Sequence, residues 1–145
     1  PEFNLLERKI QDNGVMEFCD RNGISVLSYN SIAKGILSGA FHFYGAKLDA
    51  DDFRNMKPLF SAKNMEKEIP LLGLLQNIAE SHQASISQIS IAWVLAQKGM
   101  SSAIVGTQNE KHFVDNLSAV EIELTTDELD QLNRVSREVN RTIEL

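Results

Sequence analysis

Two stretches of this chain read convincingly as β-strands, Ile24-Ser25-Val26-Leu27-Ser28-Tyr29 and Ser101-Ser102-Ala103-Ile104-Val105, and that scarcity constrains the fold more than any other feature. The first is short, β-branched and nearly continuous in apolarity, the pattern of a parallel strand covered on both faces. Helices alternate with these short strands, an order that points to βα units on a parallel sheet. Two parallel strands do not make an independent, well-covered sheet, even with a strand fragment at the very start of the chain. The prediction is therefore a part of a larger α/β architecture.

Between and around the strands the sequence punctuates itself clearly. Val15 to Asp20 reads as a short helix stopped at Gly23. Residues 30 to about 62 form a long irregular segment carrying Gly35, Gly39 and Gly45, and loops of that length are uncommon unless functional. From Asn64 the residues Ile69, Leu72, Leu75, Ile78 and Ala79 recur at helical spacing, with Pro70 expected in the first turns and an end near His82-Gln83. Ser85 and Gln88 have capping-box spacing and open a helix over Ile86 to Lys98, with Ile89, Ala92, Trp93 and Ala96 on one face and Gly99 as its stop. Glu110 to Leu117 reads as a short helix with Phe113 and Leu117 one turn apart. Thr125 and Glu128 form a second capping box ahead of Leu129, Leu132, Val135 and Val139.

Composition excludes several classes. At 145 residues, 43% hydrophobic and 23% charged, the chain can hold a core and is neither low-complexity nor collagen-like. The longest apolar run, Ile91 to Ala96, is six residues, far short of the roughly 20 that a membrane-spanning helix needs. Fourteen basic against 20 acidic side chains give a net charge of −6, which argues against a partner made of phosphate backbone. A single cysteine, Cys19, leaves no internal disulfide framework and no zinc signature, so a reducing, cytoplasmic setting is expected. The first residues carry neither a signal peptide nor an initiator methionine. The expectation is a chain that starts inside a longer protein, with a vector-derived remnant as the alternative for the first three residues.

Standard catalytic signatures such as GxSxG, GxGxxG and HExxH are absent, and Gly39 to Lys47 lacks phosphate-loop spacing. His42 and His82 lie far apart and are expected on the surface. Two junctions carry a signal, because each follows the carboxyl end of a strand, where parallel α/β folds bind ligands. In the first, Tyr29 can stack on a flat heterocycle while the amides and hydroxyls that follow hold phosphate oxygens. Its plainer reading makes Tyr29 a core residue and Gly35 and Gly39 simple turns. In the second, Val105-Gly106-Thr107-Gln108-Asn109 runs into a helix whose N-terminus suits an anion, or is merely capped by Thr107 or Asn109.

At these same residues the sequence resembles the aldo-keto reductases, NADP(H)-dependent (β/α)8-barrel enzymes, in particular their bacterial and potassium-channel-β-subunit-like branches. Phe3-Asn4-Leu5-Leu6-Glu7-Arg8 is similar to the family's Tyr-Asn-Leu-Leu-x-Arg segment at its sixth strand. Tyr29 to Gly39 is similar to Tyr-Ser-Pro-Leu-Ala-x-Gly-Leu-Leu-Thr-Gly, Ile91-Ala92-Trp93-Val94-Leu95 to the Ala-x-x-Trp-Leu-Leu type helix, and Gly106 to Leu117 to the cofactor motif ending Glu-Asn-Leu. The resemblance reaches Leu124 to Leu129, which opens the terminal helix. It implies the C-terminal portion, about strands 6 to 8 with their helices, of a (β/α)8 TIM barrel, as one partial domain over residues 1–145.

The resemblance also implies roles. Tyr29 would stack on the nicotinamide; Asn30, Ser31, Ile32 and Ala33 would line the pyrophosphate; Arg54 would contact phosphate. Gly106 and Gln108 would lie by the adenosine 2′-phosphate, with His112, Asp115 and Asn116 near adenine and ribose. Ser31 stands where the pattern has proline, Asn30 where it has serine, and Gln108 where many members have arginine. The 2′-phosphate thus meets a neutral side chain, with Lys111 nearby, and NAD(H) stays open beside NADP(H). The catalytic Asp, Tyr, Lys and His of the family come from its first four strands, so no catalytic residue and no metal ligand is expected here. The implied function is the NADP(H)-binding half of an oxidoreductase reducing aldehydes or ketones, inactive alone. The alternatives are an NADP(H)-sensing regulatory subunit and a structural half-barrel that self-associates through exposed strand edges.

Overall fold

The computed structural model describes residues 1–107 and 109–144. Helices α1 (Lys9–Asp12) and α2 (Val15–Arg21) lead into strand β1 (Val26–Tyr29). The segment that was expected to be irregular holds 3-10 turns at Ala33–Ser38, Phe53–Met56 and Pro58–Phe60 and a one-turn helix α3 (Ala40–Phe43). Helices α4 (Ala62–Ser81) and α5 (Ile86–Leu95), strand β2 (Met100–Ile104), α6 (Glu110–Leu117), a 3-10 turn at Ser118–Glu121 and α7 (Thr126–Asn140) complete the order.

β1 and β2 pair in parallel, Leu27 opposite Ser102 and Tyr29 opposite Ile104, with a register irregularity between Val26 and Leu27. The start of the chain lies along the other edge of β1. A parallel bridge joins Glu2 to Tyr29, with the Tyr29 amide donating to the Pro1 carbonyl at 3.0 Å. The strand fragment read at the start of the chain is thus a bridge beside a two-stranded sheet.

Coverage of that sheet corrects the expectation of two covered faces. Val26 and Ser28 are buried beneath the helices, whereas Leu27, Tyr29 and Ile104 on the other face are 50%, 51% and 55% exposed. A strand's apolarity reports the environment it is built for, and among the described residues nothing lies on that face to supply it.

The core fills the other side, where Leu71, Leu72, Leu75, Ile89, Trp93, Val94 and Leu132 are fully buried with Phe3 and Leu5. Phe3 stacks on Trp93 with ring centroids 5.3 Å apart. Both capping boxes form as the spacing predicts: Ser85 with Gln88 opens α5, and Thr125 with Glu128 opens α7. Three helical expectations need correction. Pro70 lies in the interior of the 20-residue α4 rather than in its first turns. It is tolerated because both it and Glu66, whose carbonyl loses its intrahelical donor, face solvent. Ile69 is 50% exposed and Leu71 takes its place in the core, and α5 ends at Leu95, leaving Ala96 outside. Gly99, at φ +84°, makes the left-handed link into β2, with no helix running up to it through Lys98.

Arg8 closes the structure. Its buried guanidinium lies 5.0 Å from the Trp93 ring centroid and donates to the Asn133 carbonyl, Asn133 Oδ1 and Ser136 Oγ at 3.2, 2.9 and 3.2 Å. Ser136 in turn donates to the Leu5 carbonyl at 2.5 Å. Burial lowers the Arg8 pKa to about 10, so it stays cationic at neutral pH. Truncation to Arg8→Ala leaves buried acceptors unpaired and uncovers Trp93; we expect a loss of about 2–4 kcal/mol in urea unfolding, with a loss under about 0.5 kcal/mol contradicting the closing role.

Candidate functional site

The register of the two strands builds the candidate site. Because Tyr29 and Ile104 are opposite partners in a parallel pair, the segments that follow them leave the same end of the sheet. Residues 30–35 follow the first strand and residues 105–109 the second. Tyr29 is half exposed there, on the uncovered face, so the core reading of its ring does not hold.

The turn after β1 is strained. Asn30, Ala33 and Lys34 have φ of 60°, 47° and 55°, and Gly35 has φ of 102°. Left-handed conformations at non-glycine residues cost roughly 1–3 kcal/mol each and persist only where the surroundings over-determine them. The surroundings here are explicit. Asn30 Oδ1 accepts from the Lys34 amide at 2.7 Å, its carbonyl accepts from Asn4 Nδ2 at 3.0 Å, and the Ala33 amide donates to the same carbonyl at 2.9 Å. Ser31 and Ala33 are buried, Ser31 Oγ facing Ser28 Oγ at 3.4 Å. Their side chains therefore shape the turn from beneath. Among the described residues, the amides of Ser31 and Ile32 donate to no protein acceptor, which leaves two backbone donors for a ligand.

Arg54 is joined to this turn. Its Nη1 donates to the Lys34 carbonyl at 3.1 Å, while its Nε and Nη2 fork onto Asp52 at distances from 2.6 to 3.1 Å. The guanidinium lies 5.6 and 5.9 Å from the ring centroids of Phe41 and Phe60. Hydrogen bonds from Arg54 hold the Asp52 carboxyl below its ordinary range, and the same bonds raise Arg54. One charge on this fork is thus already neutralised, and what Arg54 visibly does is hold the turn.

The second junction is more open. Gly106 is exposed with no neighbour near its missing Cβ, and Gln108 lies outside the described residues. Asn109 caps α6, its Oδ1 accepting from the Lys111 and His112 amides at 2.8 and 3.4 Å, which decides the capping question for Asn109 over Thr107. His112 is exposed on the first turn of α6, whereas Asp115 and Asn116 are half-buried on its last. Gln88 Nε2 donates to the Asp115 carbonyl at 2.7 Å, fixing α6 to α5. The structure therefore brings Tyr29 to Ala33 and Arg54 together, and places Gly106, His112, Asp115 and Asn116 on the neighbouring junction. No group of three or more metal-ligating side chains is present among the described residues.

Two histidines expected on the surface are instead paired. His82 Nε2 lies 2.9 Å from Glu128 Oε1. Burial works to raise Glu128, but hydrogen bonds from Thr125 and His82 outweigh it and hold the carboxyl below its ordinary value. The His42 side chain is 5% exposed and sits 3.2 Å from the fully buried Glu68. The link is tertiary. Gly39, at φ +73°, ends the 3-10 turn that follows the strained residues, and a Cβ there would meet Ile86 Cδ1 at 2.6 Å. The chain then turns into α3, which sets His42 against α4.

Comparison with known proteins shows the family and the fold. The model of the aldo/keto reductase family matches residues 1–137, and the chain belongs to that family. Aldo-keto reductase str7 of Strobilurus tenacellus is 30% identical over 139 residues, 94% of this chain and 41% of that protein. L-glyceraldehyde 3-phosphate reductase of Escherichia coli O157:H7 is 25% identical over 138 residues, 92% and 40% of the two chains. The glycerol dehydrogenase of Gluconobacter oxydans superposes with a TM-score of 0.80 at 23% identity, over 99% of this chain and 43% of that one. A thermostable aldo-keto reductase solved with the inhibitor epalrestat gives 0.63 at 25% identity, over 92% and 38%. These structural neighbours are (β/α)8 barrels, so this chain is an α/β portion of that fold, spanning about two fifths of the length of the relatives it matches.

Burial lifts the Glu68 carboxyl above its ordinary 4.5, with the His42 contact only partly opposing it. As pH rises from that ordinary value through the raised one, the unfolded chain loses this proton first and the folded state is progressively disfavoured, by at most about 1.4 kcal/mol per pH unit. Glu68→Gln should remove that slope in urea unfolding measured from about pH 5 to about pH 8. A difference between variant and wild type that does not change with pH would contradict it.

Proposed function

We propose that this chain is the C-terminal, NADP(H)-binding part of an aldo-keto reductase barrel that reduces the carbonyl of small aldehydes or ketones. The observation that carries the reading is the shared end of the two strands, where half-exposed Tyr29 and the amides of Ser31 and Ile32, without an acceptor among the described residues, stand beside the capped start of α6. These residues fit the cofactor: a flat ring can lie on an exposed aromatic, and a diphosphate takes oriented backbone amides.

When bound, the nicotinamide supplies hydride to the substrate carbonyl. The chain's own contribution is placement. Tyr29 offers an aromatic face at the strand end, the 30–34 turn presents amides already fixed in direction, and Arg54 holds that turn from behind. Gly106 leaves room for close approach at the second junction, with Gln108, His112, Asp115 and Asn116 as the adenosine-side candidates. Gln108 is neutral, so the reading allows NAD(H) as well as NADP(H). A proton donor for the carbonyl oxygen is assigned to the rest of the barrel, following the family pattern.

A second reading is favoured by one observation, the apolar face of Leu27, Tyr29 and Ile104 that is left uncovered among the described residues. In that reading two copies associate through open strand edges. Sedimentation as a strict monomer at high concentration would remove it.

For the leading reading, fluorescence titration should show NADPH or NADH binding to the 145-residue chain. An aromatic aldehyde should not be reduced. Binding of neither cofactor would overturn the cofactor assignment, and turnover that survives removal of host reductases would overturn the placement of the proton donor elsewhere.

A further inference from the structure

The strained turn has a restraint that the cofactor reading does not use. Lys34 is held at three points: its amide by Asn30 Oδ1 at 2.7 Å, its carbonyl by Arg54 Nη1 at 3.1 Å, and its ammonium by Glu2 Oε1 at 3.3 Å. The same oxygen of Glu2 accepts from Asn30 Nδ2. One carboxylate thus joins both ends of the turn, and it comes from a different segment of the chain, fixed by the parallel bridge between Glu2 and Tyr29. Glu2, Asn4 and Lys34 also line a cavity of about 230 Å³, together with Lys57, Pro58 and Leu59.

Stability does not explain this arrangement well. The side chains of Glu2 and Lys34 are 31% and 29% exposed, and ion pairs so open to solvent contribute little to folding. What the pair does control is conformation, because Asn30 and Lys34 are two of the three non-glycine residues of this turn held at positive φ. The amides of Ser31 and Ile32, which donate to no acceptor among the described residues, lie between them.

Resting on the cofactor reading above, we propose that Glu2 is a positioning residue for the cofactor's diphosphate: its carboxylate clamps Asn30 and Lys34 so that the Ser31 and Ile32 amides stay presented. Without the clamp the turn relaxes toward ordinary backbone conformations. The binding-competent form is then only part of the population, and apparent affinity falls by that fraction.

The test uses the full 145-residue chain with Glu2→Ala and Glu2→Gln, the glutamine keeping an acceptor for Asn30 while removing the charge that holds Lys34. In the free protein, amide NMR signals of Ser31 and Ile32 should shift and broaden in Glu2→Ala, while those of α4 and α5 stay in place. NADPH affinity should fall about tenfold in Glu2→Ala and about threefold in Glu2→Gln, with the unfolding midpoint unchanged. Unaltered turn amides in Glu2→Ala, or altered amides with wild-type NADPH affinity, would overturn the positioning role and leave the cofactor reading standing. Spectral change spread over α4 and α5 with a lowered midpoint would make Glu2 structural, again overturning it; if Glu2→Ala fails to fold, Glu2→Gln decides between these outcomes. A wild-type chain that binds no NADPH removes the cofactor reading and this inference with it.

Discussion

The guanidinium of Arg8 is the joint on which the rest of the structure depends. A two-stranded parallel sheet cannot close a core, so this chain closes it by tying its first residues to its last helix. Arg8 covers Trp93 and reaches Asn133 and Ser136, while Ser136 and Asn140 both return hydrogen bonds to the Leu5 carbonyl. The hydrogen bonds among them link residues more than a hundred positions apart, and together with the Arg8–Trp93 contact they hold Phe3 against Trp93. The Glu2 bridge to Tyr29, a few residues before Arg8, is held in place by the same closure.

The candidate site inherits its order from that frame. Parallel pairing sends two junctions out of one end of the sheet, and the strained turn stays in place because Glu2 and Asn4 grip it from the start of the chain and Arg54 from the segment before α4. Arg54 shows how tertiary context shapes a side chain's role. A free guanidinium beside a phosphate site would be a direct anion partner, whereas here it is forked onto Asp52 and braces the Lys34 carbonyl.

What was legible in the sequence was local. The Ser85 and Thr125 capping boxes and the span of α6 follow from contacts three or four residues apart, and they form where spacing places them. The end of α5 and the setting of Pro70 were not legible, because they depend on which side of each helix meets another layer. Ile69 and Leu71 are both apolar, and only the packing of α4 decides that Leu71 enters the core. The His42–Glu68 pair has no sequence signal, since its members lie on different helices brought together by the turn at Gly39.

By itself the sequence determined the α/β class of the fold, its helix caps and its membership of the aldo/keto reductase family, because caps and family motifs are written in short stretches of chain. Only the tertiary structure decided that one face of the sheet is uncovered, that Ser31 and Ala33 point inward, and that Arg54 and Glu2 serve the turn from outside it. Burial and long-range hydrogen bonding depend on the distances that folding sets, and no local pattern of residues encodes those distances.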